Sequence, residues 1–143
     1  MARFQVGSVG WLERLHEVVG DCVREAPKEQ LLETFVLSEL YTDAPTGIAN
    51  QGDDFGLTIR IADGVVNVTA GSDSRADLTV VADYQAFLAI ACYVVADHDD
   101  GAIELEHMVE AAVADKKLMM VGEAPAYLAP VHDRIASRSR PIA

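Results

Sequence analysis

The sequence predicts an α+β domain built on a mostly antiparallel sheet. Three observations lead there. Residues 55–70 read as a β-hairpin whose register follows from its turn. Residues 9–25 carry apolar positions at the spacing of an amphipathic helix. The remaining strand and helix patterns come in mixed order around that hairpin, with no internal repeat and no low-complexity block.

The hairpin is the most legible element. Asp63-Gly64 suits a type I′ turn, which needs positive φ at both central residues. Folding there sets Ala62 opposite Val65, Ile61 opposite Val66, Ile59 opposite Val68 and Leu57 opposite Ala70. The last three pairs share an apolar face, and Thr58, Arg60, Asn67 and Thr69 share the other. Something must cover the apolar face.

Along the chain, Trp11, Leu12, Leu15, Val18, Val19, Cys22 and Val23 form one helical stripe, which Pro27 ends. A short helical turn over 28–34, a strand over 35–43 and a loop over 44–54 follow. After the hairpin, residues 77–82 predict a strand with Leu78 and Val80 on one face. Asp83 is placed to cap a helix over 84–95, with Phe87, Leu88, Ala91, Val94 and Val95 as its stripe. The polar break at 97–101 leads to a helix over about 103–115, with Leu105, Met108, Val109, Ala112 and Val113 on one side. KLMMVG, 117–122, predicts a last strand, and Pro125 opens a final helix that Pro130 kinks or interrupts. The reading is one domain over residues 1–136, with a frayed basic tail over 137–143.

A chain of 143 residues buries roughly two-thirds of its unfolded surface. Its net charge is −12, with three lysines among eleven basic residues. Nucleic acid and anionic membrane surfaces are poor partners for it, because both recruit Lys and Arg to their phosphates. No apolar run approaches the ~20 residues of a transmembrane helix, and the N-terminus lacks the apolar core of a signal peptide. Cys22 and Cys92 have no metal or CxxC spacing and read as reduced thiols. A cytoplasmic protein is the expectation.

Chemistry is harder to find. Asp97, His98, Asp99 and Asp100 form an acidic run without the rest of a calcium-loop pattern, so no metal and no cofactor are expected. Glu106 and His107 point to different azimuths of a helix, and no serine or cysteine has nucleophile context. No catalytic residues are predicted. Apolar material is instead in excess. In KLMMVG, Leu118 and Met120 face one way, and Met119 and Val121 make the other side apolar as well. Either both sides are covered, or one lines a cavity or a subunit contact.

The order of these motifs resembles the sterol carrier protein type two family. Asp63-Gly64 matches its hairpin turn and Asp77-Leu78-Thr79 its third strand. Phe87-Leu88 match the helix that follows, and Lys117-Leu118, Gly122 and Glu123 match the last strand and its exit. The resemblance covers residues 35–136. It implies a five-stranded sheet with helices packed on it, enclosing a hydrophobic cavity that binds fatty acyl chains, sterols or other lipids without catalysis. The chain departs from the pattern at Lys116, where the family usually has glycine, and at Met119 and Val121, where it usually has lysines. The segment between residues 96 and 110 is longer than usual. The C-terminal Pro141-Ile142-Ala143 is no peroxisomal signal, which favours a free-standing microbial protein.

Two functions remain open from the sequence. One is a noncatalytic carrier of an apolar small molecule in a cavity of about 300–1,000 Å³. Its candidate lining is Ile59, Ile61, Val66, Val68, Leu78, Val80, Phe87, Leu88, Met108, Val113, Leu118 and Met120. The other is an interaction module with a filled core, forming a homodimer or docking through Met119 and Val121.

Overall fold

The computed structural model describes residues 2–141. Its elements run β1 (Phe4–Gln5), α1 (Val9–Glu25), a 3₁₀ turn (Lys28–Leu31), β2 (Phe35–Thr42), β3 (Phe55–Ala62), β4 (Val65–Ala70) and β5 (Leu78–Asp83). Then follow α2 (Tyr84–Ala91), a 3₁₀ turn (Val95–Asp97), α3 (Gly101–Ala114), β6 (Leu118–Gly122), a 3₁₀ turn (Ala126–Leu128), α4 (Val131–Ala136) and β7 (Ser139–Arg140). The fold is α+β. Its main sheet has five strands in the order β4-β3-β2-β5-β6, antiparallel except where β2 meets β5.

The hairpin has the predicted register, from Ala62 opposite Val65 to Leu57 opposite Ala70. Asp63 and Gly64 take φ of 53° and 74°, as a type I′ turn requires. One face of the sheet is the core. Phe35, Tyr41, Phe55, Leu57, Ile59, Ile61, Leu78, Val80, Ala82 and Leu118 are buried there with Trp11, Leu15 and Val19 of α1 and Tyr84 and Leu88 of α2. The opposite face carries Arg60, Asn67, Thr69, Met119 and Val121, all exposed.

The family-like motifs have local causes. The Asp77 carboxylate accepts the Val36 N–H at 2.8 Å while the Asp77 N–H donates to the Val36 carbonyl at 2.8 Å, clamping the starts of β5 and β2. Asp83 caps α2 by accepting the Ala86 N–H at 3.0 Å. Gly122 has φ of +106°, and a Cβ there would lie 2.0 Å from the Asp77 carbonyl oxygen. At the end of α3 the Lys116 N–H reaches the Val113 carbonyl and the Lys117 N–H reaches the Ala112 carbonyl. This is a Schellman turn, with Lys116 at φ 59° in the position that favours glycine.

Two expectations are corrected and one is met. The helix over 84–95 stops at Ala91, because tertiary partners take the backbone groups that would extend it. Asp133 accepts the Val95 and Ala96 N–H groups at 2.8 and 3.1 Å, and the His132 Nε2–H donates to the Tyr93 carbonyl at 2.8 Å. The final helix is interrupted at Pro130, as expected, leaving a 3₁₀ turn before it and α4 after it. The basic end does not fray over 137–141. Ser139 is buried, β7 pairs in parallel with β1, and the Ser139 hydroxyl accepts the Trp11 indole N–H at 2.8 Å and donates to the Ile135 carbonyl at 2.6 Å. Ile142 and Ala143 lie outside the described residues.

Candidate functional site

The site begins with a polar residue in an apolar row. Along β2, alternation sends Phe35, Leu37, Glu39 and Tyr41 to the core face, opposite Ile61, Ile59, Leu57 and Phe55 of β3. On its other side Glu39 is level with Val80 of β5. A carboxyl group therefore stands on the central strand, on the face the helices cover. The signal was in the sequence: F-x-L-x-E-x-Y is an interrupted period-2 pattern, and reading 35–43 as a strand places Glu39 among Phe35, Leu37 and Tyr41. Glu39 was nonetheless absent from the expected site residues.

Above Glu39 the helices leave a pocket of about 190 Å³. Trp11 and Leu15 of α1, Phe87 and Ala91 of α2, and Val131, His132 and Ile135 of α4 line it with Leu37, Glu39 and Ile59 of the sheet. The Phe87 ring stacks on Tyr41 with centroids 3.9 Å apart and planes 21° apart, and Tyr41 stacks on Phe55 at 6.1 Å. These rings occupy space between α2 and the sheet, so the pocket is smaller than the range expected for a ligand cavity. Larger depressions of about 390 and 420 Å³ open on the surface, one between the end of α1 and Tyr127, the other beside Asp43, Lys116 and Met119.

Burial pushes the Glu39 carboxyl up to about 7, and the nearby Tyr41 hydroxyl offsets this only in part. Burial, with the Glu39 charge beside it, pushes the Tyr41 hydroxyl well above its ordinary value. That hydroxyl is buried and makes no hydrogen bond of good geometry. Among the described residues no Lys, Arg or His forms an ion pair with Glu39.

The twelve predicted lining residues separate into groups. Ile59 and Phe87 line the pocket. Ile61, Leu78, Val80, Leu88 and Leu118 are buried in the core around it, and Val66 and Val68 are half-buried beneath α1. Met108 is half-buried on α3. Val113 and Met120 are 49% and 51% exposed and take no part in the pocket. Their place explains this: α3 buries only Gly101 fully, and β6 is an edge strand on which Leu118 alone is buried. Trp11, Leu15, Leu37, Glu39, Ala91, Val131, His132 and Ile135 line the pocket without having been predicted to. The acidic run at Asp97–Asp100 sits exposed in the turn before α3.

No family model matches the chain, and no curated protein matches it. Solved structures do. The sterol carrier protein domain 2 of Helicoverpa armigera is similar over 93% of this chain and 91% of its own, with 12% identity and a TM-score of 0.52. A conserved hypothetical protein of Thermus thermophilus, described as possibly a sterol carrier protein, is similar over 99% and 96%, with 12% identity and a TM-score of 0.51. The chain has the sterol carrier protein fold. At that identity the likeness is one of architecture: a five-stranded sheet with its helices on one face.

Proposed function

We propose that the protein is a noncatalytic binder of an apolar small molecule, such as an acyl chain, a sterol or a similar lipid. The site is the pocket between α1, α2, α4 and the core face of the sheet. The observation that supports this reading is the pocket itself, a concave apolar space carrying a single acid at its floor, in a fold shared with sterol carrier domains. Its resting volume suits one ring or a short branch of a ligand. A longer chain enters by displacing Phe87, a half-buried residue on the short helix α2. Among the described residues no helix is long and apolar enough to cross a membrane.

Native mass spectrometry of the purified protein, with calorimetric titration of small neutral apolar molecules, tests the proposal. Saturable one-to-one binding that Phe87→Trp weakens by filling the pocket is expected. Binding that ignores this substitution, or no saturable binding, refutes it.

A further inference from the structure

Most of the carboxylates that hold this fold together have a donor. Asp77, Asp83 and Asp133 each accept backbone N–H groups, and Glu25 forms a two-bonded pair with Arg134 at 2.9 and 3.0 Å. Among the described residues Glu39 has neither kind of partner, and only the Tyr41 hydroxyl lies beside it. It faces a pocket whose other lining residues are apolar except His132, and the His132 Nε2–H is already given to the Tyr93 carbonyl. A half-buried acid among apolar walls, with a single hydroxyl beside it, is left short of donors. The missing partner is one that enters the pocket.

We propose that the pocket takes a compact apolar amine, with the Glu39 carboxylate as counter-ion to its ammonium group, and that it rejects free carboxylates such as fatty acids. This rests on the reading of the pocket as a ligand site. Three features favour an amine. Among the described residues no cation pairs with Glu39, so an ammonium group adds both charge and hydrogen-bond donors. Trp11 and Phe87 stand in the wall, and aromatic rings attract cations over their faces. A ligand carboxylate would set a second negative charge beside Glu39 in an apolar space, where like charges repel strongly. The size fits as well: a void of about 150 Å³ accepts benzene, and this one is about 190 Å³.

The test compares three probes of one shape, 2-phenylethylamine, 2-phenylethanol and phenylacetate, by calorimetry at pH 8. The amine should bind about tenfold more tightly than the alcohol, the difference a charge-assisted hydrogen bond makes, and phenylacetate should bind most weakly. Glu39→Gln should abolish the roughly tenfold preference for the amine over the alcohol. Amine affinity should fall from pH 8 to pH 5.5 as a proton takes the ligand's place. Glu39 and Tyr41 of β2 and His132 of α4 are the titratable groups at this site, and the slope assigned to Glu39 is the part that Glu39→Gln removes. Equal affinity for amine and alcohol, or phenylacetate binding as well as the amine, overturns this inference and leaves the pocket reading intact. Failure of all three probes to bind overturns both.

Discussion

Replacing Glu39 with glutamine should change how stability depends on pH more than it changes stability at any one pH. In the folded protein without ligand the carboxyl titrates at about 7, against an ordinary value of 4.5. Between those values the folded state holds a proton that the unfolded state has released. Stability is then greatest below pH 4.5 and declines as pH rises through 7. At ~1.4 kcal/mol for each tenfold change in proton affinity, the whole decline is about 3 kcal/mol. In a domain of this size that is a melting-temperature difference of roughly 6–12 °C. The assay is urea unfolding at half-unit steps from pH 4 to pH 8.5, on both proteins. The other carboxyl groups titrate alike in both, so the difference curve isolates Glu39. Its expected form is a wild type that loses about 3 kcal/mol relative to Glu39→Gln across that range. Parallel curves would show that Glu39 is hydrated in the folded state and would refute the argument from burial. An added amine ligand should flatten the wild-type curve toward that of the variant, because an ammonium partner lowers the carboxyl again.

Four other outcomes can be measured on the same protein. Lys116→Gly should stabilise by about 1 kcal/mol, since Lys116 holds φ of 59°, where a side chain is strained and glycine is not; thermal melting reads this as a rise of a few degrees. Phe87→Ala should cost about 2 kcal/mol in chemical unfolding, less than a fully buried ring because Phe87 is half-buried, and should enlarge the space available to ligand; a loss above about 4 kcal/mol would make it a core residue instead of a pocket wall. Met119→Lys with Val121→Lys should leave the protein folded, since these side chains are 51% and 60% exposed, and loss of cooperative melting would show them covered. For the same apolar face we expect sedimentation velocity to find a wild-type dimer that this double variant converts to monomers, and a wild-type monomer refutes the interface.

How legible the protein is from its sequence depends on whether a decision is local. The hairpin register was readable because Asp63-Gly64 and the alternation on either side specify the same pairing. The cap at Asp83 and the start of α2 were readable for the same reason. The end of α2 was not: it is decided by His132 and Asp133, which arrive from the far end of the chain to take its backbone groups. The tail was misjudged on similar grounds, because Arg138-Ser139-Arg140 looks soluble until Trp11 is brought to Ser139. At the site, Ile59 and Phe87 were legible from their faces, whereas the contributions of α1 and α4 depend on how the helices lie across the sheet. Val113 and Met120 carry the right pattern but sit at the margin of the sheet, which periodicity does not report. Glu39 was the one key residue that local pattern could have exposed.

The size of the pocket and the chemistry of its floor have one origin in β2. Its inward positions run aromatic, aliphatic, acid, aromatic. Tyr41 carries the Phe87 ring and so fills the space toward α2, while Phe35 and Leu37 close the apolar face on the other side of Glu39. What remains open is the volume directly over the acid, walled by α1 and α4. The walls are held in place far from it: the Trp11 indole is anchored through Ser139 to Ile135 of α4, so these two walls are tied to each other independently of any ligand. A pocket built in this way keeps its geometry when empty and leaves its one acid short of donors. The cost of that acid is then relieved by whatever cation binds, which turns a destabilising residue into the source of selectivity.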